Sequence, residues 1–255
     1  MQLTFSILLI LLSQNVFAWS DEIEHAMLLE PNLENGKRIY EICATCHQES
    51  GWADGSDLSR QKKPGFFPQI AGQHKNVIIK QLLDIRAGNR DNPMMYPFTL
   101  NKFLGGGDQG IADVSAYVSQ LPMAKNNNIG MGDDLELGEQ LYKKHCVNCH
   151  GEYGEGSNKE FYPRIQGQHY QYLLRQFLWI RDGKRRNANQ KMVQQISQFT
   201  YREITAVVDY ASRLKPKPEH DSTNKSTSQD GNNEQTEVTI SKETNTSSEQ
   251  QENKE

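Results

Sequence analysis

Cys43-Ala44-Thr45-Cys46-His47 and Cys146-Val147-Asn148-Cys149-His150 are the two stretches from which the rest of this 255-residue sequence can be read. Each has the form C-x-x-C-H, and together they use all four cysteines of the chain. Two thiols separated by two residues can reach the two vinyl groups of one haem and add across them as thioethers. The histidine that follows is then held beneath the iron as an axial ligand. The spacing predicts two covalently bound haem c groups. Cys43, Cys46, Cys146 and Cys149 are the attachment points, and His47 and His150 are iron ligands. Other uses of paired cysteines fit less well. A shared zinc site separates its pairs by about 15–20 residues, whereas Cys46 and Cys146 are a hundred positions apart. A redox dithiol needs βαβ surroundings, and both motifs sit in sequence that reads as helical.

Around the motifs the chain repeats itself. Gly36-Lys37-Arg38-Ile39-Tyr40 leads into the first motif and Gly138-Glu139-Gln140-Leu141-Tyr142 into the second. Further on, Phe67-Pro68-Gln69-Ile70-Ala71-Gly72-Gln73-His74 matches Tyr162-Pro163-Arg164-Ile165-Gln166-Gly167-Gln168-His169. The match runs on through Gln81 and Gln176, through Ile85–Arg90 and Ile180–Arg185, and into Ile111–Tyr117 and Ile204–Tyr210. The reading is an all-α duplication. Domain 1 covers residues 19–124 and domain 2 residues 133–215, joined by a linker at 125–132 within an Asn- and Gly-rich stretch.

Each repeat predicts a short helix ending at its motif, a polar loop, an amphipathic helix (His74–Ala87 or His169–Asp182) and a closing helix (Ile111–Gln120 or Tyr201–Leu214). Val77, Ile78, Leu82 and Ile85 mark the apolar face of the first amphipathic helix. Tyr170, Leu173, Leu174 and Phe177 mark the second. Gly88 and Gly183 are their C-terminal stops.

An electron-transfer haem needs a second axial ligand, and a methionine thioether raises its potential. Met192 is the sole methionine after Cys149. The first repeat offers Met94 and Met95, of which Met95 is preferred. Among the histidines, His25 and His220 read as solvated, and His145 is too close to Cys146 to reach the far side of the haem. His74 and His169 recur at one repeat position, where a helix-capping or surface role is expected.

The paired C-x-x-C-H, the Pro-x-Ile-x-Gly-Gln segment and the Gly-x-Arg loop leading to methionine resemble the di-haem cytochrome c4 family, over roughly residues 33–214. The resemblance implies two tandem class I cytochrome c domains, each enclosing one haem, with the haem edges close across a domain interface. It also implies that Pro68 and Pro163 pass beside the proximal histidines, where a backbone carbonyl would orient the imidazole. The first repeat departs from the pattern with extra residues that include Trp52 and Lys62-Lys63, and with Gly105-Gly106-Gly107.

The two ends differ from the middle. Residues 1–18 read as a signal peptide: an apolar run from Leu3 to Leu12, then Val16 and Ala18 at the small-residue positions before a cut. No Lys or Arg precedes Lys37, so the usual positive start is missing, and an uncleaved anchor is the alternative. Residues 216–255 read as a disordered polar tail. From Glu219 onward it holds nine acidic and three basic residues, a net of −6. The whole chain is −4, so the part before it carries about +2. That mild balance gives no support to nucleic-acid binding.

Two six-coordinate haems favour passing electrons over activating a substrate. The expected function is a periplasmic electron carrier between a respiratory donor (a quinol-oxidising complex or dehydrogenase) and a terminal oxidase or reductase. Its partners would be redox proteins, with peripheral membrane association. The alternatives are a cytochrome subunit of a dehydrogenase complex, such as a sulfide-oxidising flavocytochrome, and a di-haem peroxidase. Lys184-Arg185-Arg186, with Arg181 and Lys191, is a candidate docking face for an acidic partner.

Overall fold

The computed structural model describes residues 21–54 and 65–217. The signal segment, Lys62-Lys63, His220 and the tail from Pro218 lie outside the described residues. The described residues fall in one compact unit ending at Lys217. They are helical, with no strand among them beyond an isolated bridge between Ser157 and Tyr162. No described helix is long and apolar enough to cross a membrane.

In the first repeat, α1 spans Leu33–His47, α2 Lys75–Arg86, α3 Asn101–Leu104 and α4 Asp108–Gln120, with a 3₁₀ turn at Tyr96–Thr99. In the second, α5 spans Leu135–His145, α6 Val147–His150, α7 Tyr170–Arg181, α8 Gln190–Ile196 and α9 Tyr201–Arg213. The amphipathic and closing helices thus form where the periodicity placed them. Asn32 caps α1 by accepting from the Asn35 N–H, and Thr200 with Glu203 forms a capping box on α9. Gly88 and Gly183 follow α2 and α7 at φ 75° and 71°, a conformation that glycine adopts at little cost. One difference lies at the motifs. The first is the last turn of a continuous α1, whereas the second is broken at Cys146 between α5 and α6.

Each repeat packs its first helix across its last. Gly36 of α1 and Gly138 of α5 are the points of closest approach. A Cβ on Gly36 would lie 2.3 Å from the Asp113 carbonyl oxygen, and one on Gly138 2.3 Å from that of Ala206. One turn further on, Tyr40 meets Tyr117 at 5.4 Å and Tyr142 meets Tyr210 at 5.5 Å, at nearly the same tilt. These crossings close two cores. The first gathers Ile39, Ile79, Leu83, Ile111 and Val114, the second Phe177, Ile196, Ile204 and Val207. Ile79 and Leu83 are fully buried, deeper than the residues the periodicity singled out on α2. Gly138→Ala gains helix propensity but forces α5 and α9 apart. Its net effect is expected to be a loss of about 1–3 kcal/mol, read by denaturant unfolding of the holoprotein. An unchanged midpoint would show that the crossing tolerates a methyl group.

A helical segment at residues 21–28 has no counterpart in the second repeat. Its Ile23 and Ala26 join the first core. Arg86 reaches its Glu22 and also Asp108, whose other oxygen lies 3.0 Å from His25 Nδ1. His25 is exposed, as expected, yet it is not without a partner. It ties this segment to the start of α4.

Candidate haem centres

At the first motif, α1 delivers Cys43, Cys46 and His47 on consecutive turns. Cys43 and Ala44 pack against the first core, as do Ile78 and Leu82 of α2. His47 is buried, and its Nδ1 lies 3.1 Å from the Pro68 carbonyl oxygen. At the second motif the His150 Nδ1 lies 3.1 Å from the Pro163 carbonyl oxygen. A carbonyl can only accept, so in both rings Nδ1 carries the proton and Nε2 keeps its lone pair, the state an iron ligand requires. Burial pushes both histidines below their ordinary pKa and favours the neutral ring.

The thiols fit the same group. Burial pushes Cys43 up to about 11 and Cys146 up to about 12. A redox dithiol lowers its thiol pKa. These sit in apolar surroundings that favour the neutral thiol. Cys146 and Val147 pack on the second core together with Ile165, Leu174 and Met192.

The methionines are placed unequally. Met192 lies in α8 and packs on the core that holds Cys146. Met95 is half-buried before the 3₁₀ turn, its N–H held by Asn92, whereas Met94 is 49% exposed. His145 packs edge-on against Phe199 instead.

Between the two repeats the structure shows what the sequence did not. The Gln73 side chain accepts from the Arg164 N–H and donates to its carbonyl, both at 2.9 Å. The equivalent Gln168 does the same to Gln69, at 2.9 and 2.7 Å. His74 Nε2 donates to the Glu155 carbonyl and His169 Nε2 to the Trp52 carbonyl, each at 2.7 Å. Gln69 and Arg164 likewise reach the carbonyls of Gly167 and Gly72. Each of these contacts is thus made twice, with the roles of the repeats exchanged. Both stand at the N-cap position of their helices, His169 buried and His74 part-buried, but neither side chain makes a cap bond. Their recurrence at one repeat position was the signal available in the sequence.

His169 is fully buried, and its Nδ1 accepts the Asn128 N–H at 3.1 Å. With Nε2 donating, both nitrogens are committed and the ring is fixed as neutral. Burial lowers its pKa, opposed by the Trp52 carbonyl and by Asp54. An opened chain binds a proton there more readily than the closed one, so stability is complete above about pH 6.5. Below that value it falls by at most about 1.4 kcal/mol per pH unit, until the lowered pKa is reached. Thermal unfolding of His169→Gln should show a shallower loss than the parent between pH 7.5 and 5.5. Equal slopes would remove His169 as the source.

The basic loop is corrected by the same contacts. Arg185 does not face a partner. Its guanidinium bonds Gln176 and Gln81, both at 3.0 Å, inside the seam. Arg186 reaches the Gly88 carbonyl and Arg181 pairs with Asp182. Lys184 and Lys191 are exposed and form no ion pair among the described residues.

A family model for cytochrome c matches residues 33–122 and 135–215. Cytochrome c4 of Azotobacter vinelandii is 30% identical over 194 residues, covering 68% of this chain and 84% of that protein. The chain belongs to the di-haem cytochrome c4 family. It is an electron-transfer cytochrome of two tandem cytochrome c domains with two covalent haem c groups. A thiosulfate dehydrogenase electron acceptor of Stutzerimonas stutzeri is 31% identical over 205 residues, covering 73% of this chain and 89% of that one. The crystal structure of reduced cytochrome c4 from Pseudomonas stutzeri shares the fold, with a TM-score of 0.59 at 24% identity over 73% of this chain and all of that one. The thiosulfate dehydrogenase of Marichromatium purpuratum gives 0.58 at 27% identity, over 71% of this chain and 40% of that one.

Proposed function

We propose that this cytochrome works in the periplasm, exported by residues 1–18. There it carries electrons from a dehydrogenase or quinol-oxidising complex to a terminal oxidase or reductase. Cys43 and Cys46 hold one haem in domain 1 (19–124), with His47 and Met95 on its iron. Cys146 and Cys149 hold the other in domain 2 (133–215), with His150 and Met192. The Pro68 and Pro163 carbonyls orient the two imidazoles. The observation that carries this reading is the duplicated histidine–proline contact, the same 3.1 Å in both repeats. A bound haem supplies a one-electron couple between ferrous and ferric iron. The chain supplies two apolar cores beside the motifs and orients both histidines, which would keep reorganisation on electron transfer small.

The name of the Stutzerimonas relative makes a thiosulfate-oxidising dehydrogenase the first donor to test. The ferric protein, mixed with such a dehydrogenase and thiosulfate, should become reduced at catalytic enzyme concentration. Absence of reduction, with dithionite still reducing both haems, rejects that donor while leaving the carrier intact. The coverage of 40% of the Marichromatium chain favours a second reading, in which the cytochrome is one part of a dehydrogenase complex. Stable copurification with a catalytic chain would select it. Mass spectrometry of the exported protein should find Trp19 at the N-terminus.

A further inference from the structure

The seam between the repeats is rich in uncompensated positive charge. Arg90, at the end of the first amphipathic segment, and Arg185, its repeat equivalent, meet over two shared glutamines. Arg90 donates to Gln81 at 2.7 Å and to Gln176 at 3.1 Å. Arg185 donates to Gln176 and Gln81, both at 3.0 Å. Arg90 also bonds the Tyr172 hydroxyl at 3.0 Å, and Arg175 stacks over the Tyr172 ring at 5.3 Å. None of these three arginines forms an ion pair with a carboxylate among the described residues. Asp84, the carboxylate that acts on Arg185, is held through one oxygen by Lys80 and Asn187, each at 2.6 Å. Although burial pushes the Tyr172 phenol up, Arg90, Arg185 and Arg175 outweigh it and draw it below its ordinary pKa.

Desolvated cations persist where something offsets them. Each haem brings two propionate carboxylates, and its iron carries one more positive charge when ferric than when ferrous. The cluster adjoins elements that build both cores. Gln81 lies on α2 beside Leu82, which packs on the same core as Cys43. Arg185 opens the loop whose Ala188 and Met192 pack on the same core as Cys146.

We propose that Arg90 and Arg185 act as one shared electrostatic control on both haems, each raising the reduction potential of the haem in the other repeat as well as that of its own. They are positioning residues, since they bind neither iron. The sharing follows from the geometry: each guanidinium is held by one glutamine from each repeat. The inference rests on the two-haem reading above.

The test is a potentiometric titration of the purified holoprotein and of Arg90→Gln and Arg185→Gln. A unit charge at about 10 Å through an effective dielectric near 20 changes an equilibrium by about tenfold. Each variant should therefore lower both midpoints by about 59 mV, a tenfold shift in the ratio of reduced to oxidised haem. Haem content and the methionine–iron absorption band should stay as in the parent. A shift confined to one haem, or none, overturns the proposal. Arg90→Lys and Arg185→Lys keep the charge while losing the paired glutamine contacts, and both should hold both midpoints near the parent's. A fall in the lysine variants equal to that in the glutamine variants also overturns it, and this arm serves if a glutamine variant fails to fold. Loss of covalent haem in the parent itself would instead reject the underlying reading.

Discussion

Replacing Cys146 and Cys149 by alanine is expected to halve the covalently bound haem, from two groups per chain to one. The four cysteines are the chain's only thiols, so no other residue can take over a thioether. The first core is built mainly from its own repeat: Ile39 and Leu83 lie in it, Cys43, Ala44, Ile78 and Leu82 pack against it, and Phe161 is what the second repeat adds. The first motif should load its haem independently of the second. The second domain should suffer beyond the missing cofactor. Cys146, Val147, Ile165, Leu174 and Met192 all face a shared core that would lose its largest apolar occupant, and domains of this size have little burial to spare. Haem per chain, measured by pyridine haemochrome against protein mass, decides it. Retention of two haems would end the assignment of this motif.

Met192→Ala should remove the methionine–iron band from one haem and lower that haem's potential, because the soft thioether favours the ferrous state. Met192 is the one methionine that packs with Cys146, so no neighbour can substitute. The same change at Met95 should act on the other haem, whereas Met94→Ala should leave both spectra alone, since Met94 stands half in solvent. An unchanged spectrum in Met192→Ala would remove it as a ligand.

Much of this could be read from the chain because the chemistry is local. The C-x-x-C-H spacing needs five adjacent residues. The helices follow from periodicity and from the glycines that stop them, and the duplication doubles every local signal. What escaped depends on residues far apart. Gln73 and Arg164 are 91 positions apart and His169 and Trp52 are 117, so no window of sequence holds both partners. Arg185 sits in Lys184-Arg185-Arg186, which locally resembles a solvated basic loop. Only Gln81 of α2 and Gln176 of α7, brought together by the fold, turn it inward. Gly36 and Gly138 opened the repeat in the sequence without a stated reason. The carbonyls of Asp113 and Ala206 provide one.

The exchange of roles across the seam has a further meaning. An interface in which a residue of one half meets a second residue of the other, and the converse contact also forms, is the isologous contact of a twofold homodimer. Here both halves lie on one chain. The arrangement is that of two like subunits meeting face to face and joined by a tether. Tethering fixes their local concentration, so the contact persists at any dilution. It also frees each face to vary alone. Gln69 and Arg164 occupy matching places and still reach matching carbonyls, but one is neutral and the other charged. A true homodimer could never make that distinction. In this chain it gives two chemically similar centres a means of becoming unequal.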